Sequence, residues 1–284
     1  MRKLRVEDTN FPSNNHLRVK DNLFDLSKPK VMGIINCTPD SFYKKSQVQT
    51  QVEILKKVEQ YLVEGVDILD IGGYSSRPGS DHISPQEEID RILPVVKMIK
   101  KEFSTSILSM DTFRSEVARQ GLENGVDILN DISAWELDSK LLDVLAHYKC
   151  PYILMHMKGN PQTMQMNTNY TNLFGEIVSF FSKKIEMLHQ NGIYDIVLDP
   201  GFGFGKTMEQ NYEILQNLDH YKILGKPILA GISRKSMIYK KLHTDAENSL
   251  NGTTVLNTIA IQKGASILRV HDVKEAKEII DLLF

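Results

Sequence analysis

Seven residues of this chain have side chains suited to chemistry and share one kind of place. Asn36, Asp111, Asn130, Asp199, Lys235, Arg269 and His271 each follow a short apolar run rich in β-branched residues. Runs of that kind read as buried strands, so each residue stands at or just past a strand's C-terminal end. Asp111, Asn130 and Asp199 are short planar acceptors, with one amide donor among them. Such a group suits a flat heterocycle that presents N–H donors beside a carbonyl, such as a pterin or a guanine. Lys235, Arg269 and His271, with Arg77, supply positive charge for an anion such as a diphosphate.

The stretch Ile196-Val197-Leu198-Asp199-Pro200-Gly201-Phe202-Gly203-Phe204-Gly205-Lys206 shows the pattern most fully. An apolar strand stops on a carboxylate, and Pro-Gly then breaks the pairing. The loop is not a Walker A loop, because Pro200 stands where that motif needs glycine. Nor is it a dinucleotide fingerprint, whose third glycine would fall on Lys206 or Met208.

The elements that must position these residues alternate. Apolar runs ending at Asn36, Gly72, Asp111, Asn130, Met155, Asp199, Ala230 and Leu268 are separated by helical patterns over 51–64, 86–101, 115–123, 139–148, 173–190, 208–217 and 253–263, and 273–283 closes the chain. Eight buried strands and eight helices in that order predict a single-domain α/β protein, a TIM (β/α)₈ barrel over 31–284, with a doubly wound open sheet as the other closure. In a barrel all strand ends open onto one face, so the seven residues converge. Residues 1–30 form a polar extension in which 16–19 and 23–26, around Lys20-Asp21-Asn22, read as a hairpin plugging the barrel floor.

Composition narrows the class. With 284 residues, 41% of them hydrophobic, the chain can bury a large core. The net charge of −2 and the lack of a basic run argue against a nucleic-acid face. Two cysteines, Cys37 and Cys150, make no disulfide framework and suit a reducing cytoplasm. The charged N-terminus reads as no signal peptide, and no run is long enough to span a membrane. Ordinary readings compete at several positions. Asp111 and Asp131 are each compatible with a helix cap. His156 reads as a packing histidine; Met155, Met157, Met164 and Met166 read as core; Lys183-Lys184 and Lys240-Lys241 read as solvated faces. The histidines and cysteines lack zinc-ligand spacing.

Taken together, the motifs resemble dihydropteroate synthase. Gly33-Ile34-Ile35-Asn36-Cys37-Thr38-Pro39-Asp40-Ser41-Phe42 is similar to the family's first signature and Asp70-Ile71-Gly72-Gly73-Tyr74-Ser75-Ser76-Arg77-Pro78-Gly79 to its second. The similarity continues through Met110-Asp111-Thr112, Leu129-Asn130-Asp131-Ile132, Leu154-Met155-His156-Met157, Asp199 to Lys206, Gly231-Ile232-Ser233-Arg234-Lys235-Ser236 and Arg269-Val270-His271-Asp272-Val273. The resemblance implies condensation of 6-hydroxymethyl-7,8-dihydropterin diphosphate with para-aminobenzoate, with release of diphosphate, in folate synthesis. It implies that Asp111, Asn130, Asp199 and Lys235 hold the pterin, with Ile132, Met155, Gly203 and Phe204 about the ring. It implies that Arg77, Arg269 and His271, beside Ser76, take the diphosphate. Phe42, Pro78 and Ser233 fall near the aminobenzoate, and Asn36 at a Mg2+ ligand. Asp40, Arg77 and Lys235 are the catalytic candidates. It also implies a cytoplasmic homodimer acting on small molecules, with no nucleic acid or membrane partner. The sequence departs from the pattern at Tyr74, often glutamate, at Ser76, often threonine, and at Tyr43-Lys44-Lys45-Ser46, where a second aspartate is usual. Pterin-binding methyltransferases using a methyltetrahydrofolate-type substrate share the barrel and are the alternative.

Overall fold

The computed structural model describes residues 15–37, 47–75 and 82–284. It begins with an antiparallel hairpin, β1 (His16–Val19) and β2 (Asn22–Asp25), turned at Lys20, whose φ is 55°. The alternating part follows: β3 (Lys30–Asn36), α1 (Gln47–Val63), β4 (Ile68–Gly72), α2 (Pro85–Glu102), β5 (Leu108–Asp111), α3 (Ser115–Glu123), β6 (Ile128–Asp131) and α4 (Leu141–Tyr148). Then come β7 (Tyr152–Met155), α5 (Leu173–Gln190), β8 (Ile196–Asp199), α6 (Met208–Gln216), β9 (Leu229–Ala230), α7 (Ser236–Tyr239), α8 (Leu250–Gln262), β10 (Ile267–Val270) and α9 (Val273–Leu283).

Eight strands pair in parallel in the order β8-β7-β6-β5-β4-β3-β10-β9. The sheet closes on itself where Leu198 bridges Ile228 and the Leu198 amide donates to the Pro227 carbonyl at 2.9 Å. This is the expected (β/α)₈ barrel. Its strands are apolar on both faces because one face meets the barrel interior and the other the helix ring; β4, β6, β7 and β8 are buried at every residue.

The helices carry local reasons for their bounds. In α2, Ser84 caps the Glu87 amide at 3.1 Å, Pro85 occupies the first turn, and Lys100 and Lys101 meet the negative end. Ile89, Ile92, Val96 and Ile99 recur at three- and four-residue spacing and face the sheet. Emptying the fully buried Ile92 site to alanine would cost about 2–5 kcal/mol. A capping box between Thr207 and Gln210 starts α6. Helix α7, four residues long, has too little periodicity to show in the sequence. Helix α8 starts at Leu250, three residues before the expected start at 253, and α1 starts at Gln47 rather than 51.

The hairpin closes the barrel floor. Leu17, Val19 and Leu26 pack against Met32, Ile68, Ile128, Ile153, Val197, Leu229 and Ile267, one residue from each of seven barrel strands. Polar ties fix it: the Arg18 amide donates to Asp195 at 2.8 Å, and Lys20 meets buried Asp127 at 2.8 Å, which Lys100 also holds. With the floor sealed, the opposite end is the open one.

Candidate active site

At the C-terminal ends of the strands, one arginine organises the charges. Arg269 on β10 reaches past β3, donating from Nε to Asp70 of β4 at 2.6 Å and from Nη2 to Asp111 of β5 at 2.7 Å. Asn130 of β6 donates to the same Asp70 oxygen at 3.1 Å. Asp70 is fully buried, and its other oxygen has no partner among the described residues. Burial pushes the Asp111 carboxyl up to about 7; Arg269 pulls against that shift and Asp70 adds to it.

Across the mouth, Asp199 ends β8. Burial raises its carboxyl, against the pull of Lys235, the Gly201 amide and Arg269. Its Oδ1 accepts the Gly201 amide at 2.7 Å. Burial also holds Lys235 down to about 8, with Asp199 opposing. The Lys235 ammonium lies 4.7 Å from the Phe204 ring centre and donates to the Phe202 carbonyl. Next to this polar set lies an apolar cluster of Phe113, Ile132, Met155, Met157 and Met164, with Tyr74 and Phe204 against it. Carboxylates, an amide and a lysine beside an apolar wall form a slot for a flat ligand that is polar at its edge.

Sequence reasoning gave Lys206 no role. Its ammonium is buried and donates to the carbonyls of Gly201 at 3.0 Å, Phe204 at 2.9 Å and His156 at 3.2 Å. All three of its protons are used, tying the glycine loop to the end of β7. Burial lowers Lys206 to about 7, with Asp199 raising it. Gly201 makes the tie possible: its φ is +71°, and a Cβ there would stand 2.0 Å from the His156 carbonyl oxygen. Asn211 completes the loop, accepting the Gly203 amide at 2.6 Å.

The far end of the mouth is built by β10 and the segment after β9. The Ser233 hydroxyl lies 3.0 Å from His271 Nδ1 and accepts the His271 amide at 3.2 Å. A hydroxyl that accepts from that amide is free to donate to Nδ1, which leaves the Nε2 proton to point at a ligand. His271 is held down to about 4, by burial first and then by Arg269 and Lys57, so it is neutral at pH 7. Arg234 was also missed as a candidate. It sits at φ 55°, spans Asp272 with two hydrogen bonds of 2.9 and 2.7 Å, and caps the carbonyls of Ala246 and Glu247. That left-handed residue turns the chain so that Lys235 enters the mouth. Asn36 ends β3, beside β10, and is exposed.

Asp40, Phe42, Ser76, Arg77 and Pro78, and the odd first loop with Lys44, lie outside the described residues. Tyr74 replaces the usual glutamate by ring contacts: it meets Phe113 edge-on at 5.2 Å, lies 5.4 Å from the Arg114 guanidinium, and its hydroxyl accepts from Gln162 at 3.1 Å. Asp131 caps no helix among the described residues; it staples the turn after β6, accepting from the Ser133 and Trp135 amides, and Asp111 takes Arg269 rather than a cap. His156 packs edge-on to Phe180 at 4.9 Å. Two further ordinary readings need correcting. Lys184 is no solvated face: it is 13% exposed, lies 4.3 Å from the Trp135 ring centre and donates to the Ala134 carbonyl at 2.9 Å. Met166 is 75% exposed: of the short helical turn Met164–Met166, Met164 is the residue that faces the apolar cluster.

A barrel with this mouth defines a class of pterin-handling enzymes, and the chain belongs to the pterin binding enzyme family, whose model matches residues 32–271. Dihydropteroate synthases are among its relatives. The dihydropteroate synthase of Synechocystis sp. is 43% identical over 267 residues, covering 93% of this chain and 92% of that one. The Yersinia pestis dihydropteroate synthase, solved with a sulfonamide drug complex, superposes with a TM-score of 0.89 at 38% identity, covering 94% of this chain and 98% of that one. The Xanthomonas albilineans enzyme, solved with 4-aminobenzoic acid, gives 0.88 at 33% identity, covering 95% and 97%.

Proposed function

We propose that this protein is a dihydropteroate synthase, a transferase that joins 6-hydroxymethyl-7,8-dihydropterin diphosphate to para-aminobenzoate and releases diphosphate in folate synthesis. The observation that carries this reading is the pairing of ends in one mouth. Asp111, Asn130, Asp199 and Lys235 stand beside the Ile132, Met155 and Phe204 wall, while Arg269 and His271 occupy the neighbouring strand end, with Ser233, assigned to the aminobenzoate, against His271. The first set fits a pterin edge and the second an anion.

The chemistry follows from charge placement. The C–O bond between the methylene and the diphosphate breaks, and its electron pair leaves with the diphosphate. The methylene becomes cationic and conjugated with the pterin, where the Asp111 and Asp199 carboxylates stabilise it. The aminobenzoate nitrogen then forms the new C–N bond and loses a proton. An aniline is already nucleophilic, so it needs positioning more than a strong base. Buried Cys37 has its thiol pushed up to about 12 and offers no nucleophile.

Asn36 offers a hard amide oxygen at the rim beside β10. Among the described residues no three acidic, histidine or cysteine side chains gather into a metal cluster. One protein oxygen together with substrate phosphates and water is a donor set that suits Mg2+. When bound, that ion would neutralise charge on the leaving diphosphate. By the same resemblance, Arg77 and Ser76 serve the diphosphate, Phe42 and Pro78 the aminobenzoate, and Asp40 the developing cation. A homodimer finds support in α8, which has no charged residue along its length and leaves Val255 50% exposed on its outer side. A cytoplasmic site fits the two free, buried cysteines, and no helix among the described residues is long and apolar enough to cross a membrane. Residues 1–30 act as an extension to one barrel domain over 31–284.

Incubating the protein with the pterin diphosphate, Mg2+ and para-aminobenzoate should yield dihydropteroate and diphosphate in equal amounts. No product, or methyl transfer from a methyltetrahydrofolate instead, overturns the reading.

A further inference from the structure

An open cleft of about 440 Å³ lies beside the mouth, lined by Glu53, Lys56, Lys57, Gln60, Tyr61 and His271. Five of these recur at three- and four-residue spacing along α1, and His271 belongs to both spaces. Its imidazole meets Ser233 on the mouth side, and Arg269 and Lys57 both act on it electrostatically.

The geometry of α1 is fixed from below. Gly33 of β3 lets the Tyr61 ring lie against the strand; a Cβ there would stand 2.7 Å from the ring. Tyr61 in turn donates to the His271 carbonyl at 2.7 Å, locking α1 to the end of β10. Lys57, one turn earlier on the helix, has its ammonium 5.2 Å from the Tyr61 ring centre. The carboxylate that acts on Lys57 is Asp272, and Arg234 already holds both of its oxygens. The cleft therefore presents two ammonium groups and an imidazole N–H against one lining carboxylate, Glu53. Positive charge in excess of carboxylate in a concave site favours an anion.

We propose that Lys56 and Lys57, with His271, form an outer phosphate subsite that receives the diphosphate as it departs from the mouth. This rests on the pterin-diphosphate reading above. His271 hands the anion outward: its imidazole serves the mouth while its other neighbour, Lys57, stands in the cleft. The inner cation, Arg269, is tied to Asp70 and Asp111, so it holds the anion less tightly than a free guanidinium would. The lysines provide the charge on the way out, and they give the product a place that does not overlap the pterin slot.

The test is titration of inorganic diphosphate into the protein by calorimetry, together with diphosphate product inhibition, for wild type and for Lys56→Gln/Lys57→Gln. The double variant should weaken both by about five- to tenfold, the combined size of two exposed charge contacts. Affinity for free hydroxymethylpterin should stay within about twofold by the same scale. Both lysines are exposed, so the variant should melt with wild type, and thermal denaturation checks this. Wild-type binding of diphosphate with less than about a twofold change in the variant overturns the subsite alone. Equal losses for diphosphate and free hydroxymethylpterin also overturn it, because the lysines would then shape the mouth. Wild-type protein that binds neither diphosphate nor the pterin diphosphate overturns the parent reading together with the subsite.

Discussion

Arg269 donates from Nε to Oδ2 of Asp70 at 2.6 Å, and through that contact an arginine of the last barrel strand is fixed by a fully buried carboxylate of the second. Asp70 sets the fork of Arg269 that Asp111 also grips. Asp70→Asn keeps the shape but weakens a charged hydrogen bond, at about 1–3 kcal/mol of stability. Urea denaturation should register that loss. Turnover of the pterin diphosphate, as kcat/KM, should fall by about ten- to a hundredfold, a misplacement effect. Wild-type kinetics in Asp70→Asn would mean that Asp111 alone sets the arginine.

Asp199→Asn should remove pterin binding while leaving the loop in place. An amide oxygen can still accept the Gly201 amide, as Oδ1 does at 2.7 Å. The new NH2 group would then face ring N–H donors. The expected loss is about 2–4 kcal/mol, from a charged hydrogen bond replaced by a buried mismatch. Calorimetric affinity within about threefold of wild type would count against the assignment.

Lys206→Met should destabilise the protein by about 2–4 kcal/mol, since three loop carbonyls lose their donor in a buried site. The pterin affinity should fall as well, because Phe204 and the acceptor of Lys235 ride on that loop. An unchanged melting temperature would show that water replaces the ammonium at no cost.

The pH dependence of kcat/KM should be bell-shaped. Asp111 sits at about 7, so its anion is present above that value and is lost as pH falls through it. Lys235 sits at about 8, so its cation is present below that value and is lost as pH rises through it. Activity should therefore peak between the two. Lys235→Arg, which stays charged, should flatten the alkaline limb, and an alkaline limb that persists in that variant would assign it to another group.

His271→Ala should weaken the diphosphate substrate far more than free hydroxymethylpterin, because its imidazole stands with Ser233 at the far end from the pterin slot. Equal losses in a calorimetric comparison would place it in the pterin pocket instead.

The sequence by itself determined the barrel and the identity of its mouth. Strand ends are where an apolar run stops on a polar residue, and parallel closure brings those ends to one face whatever the details, so Asp111, Asn130, Asp199, Lys235, Arg269 and His271 were legible as a set. Tertiary structure alone decided how they are wired. Asp70 stands inside a strand motif and Arg269 lies 199 residues away, and no local pattern says that one grips the other. The same holds for Lys206, whose buried ammonium looks in sequence like any loop lysine, and for Lys184, whose partner ring on Trp135 comes from a different helix–strand unit. Periodicity reports which face of an element is apolar. It does not report which buried charge answers another, because that depends on distances set only when the barrel closes.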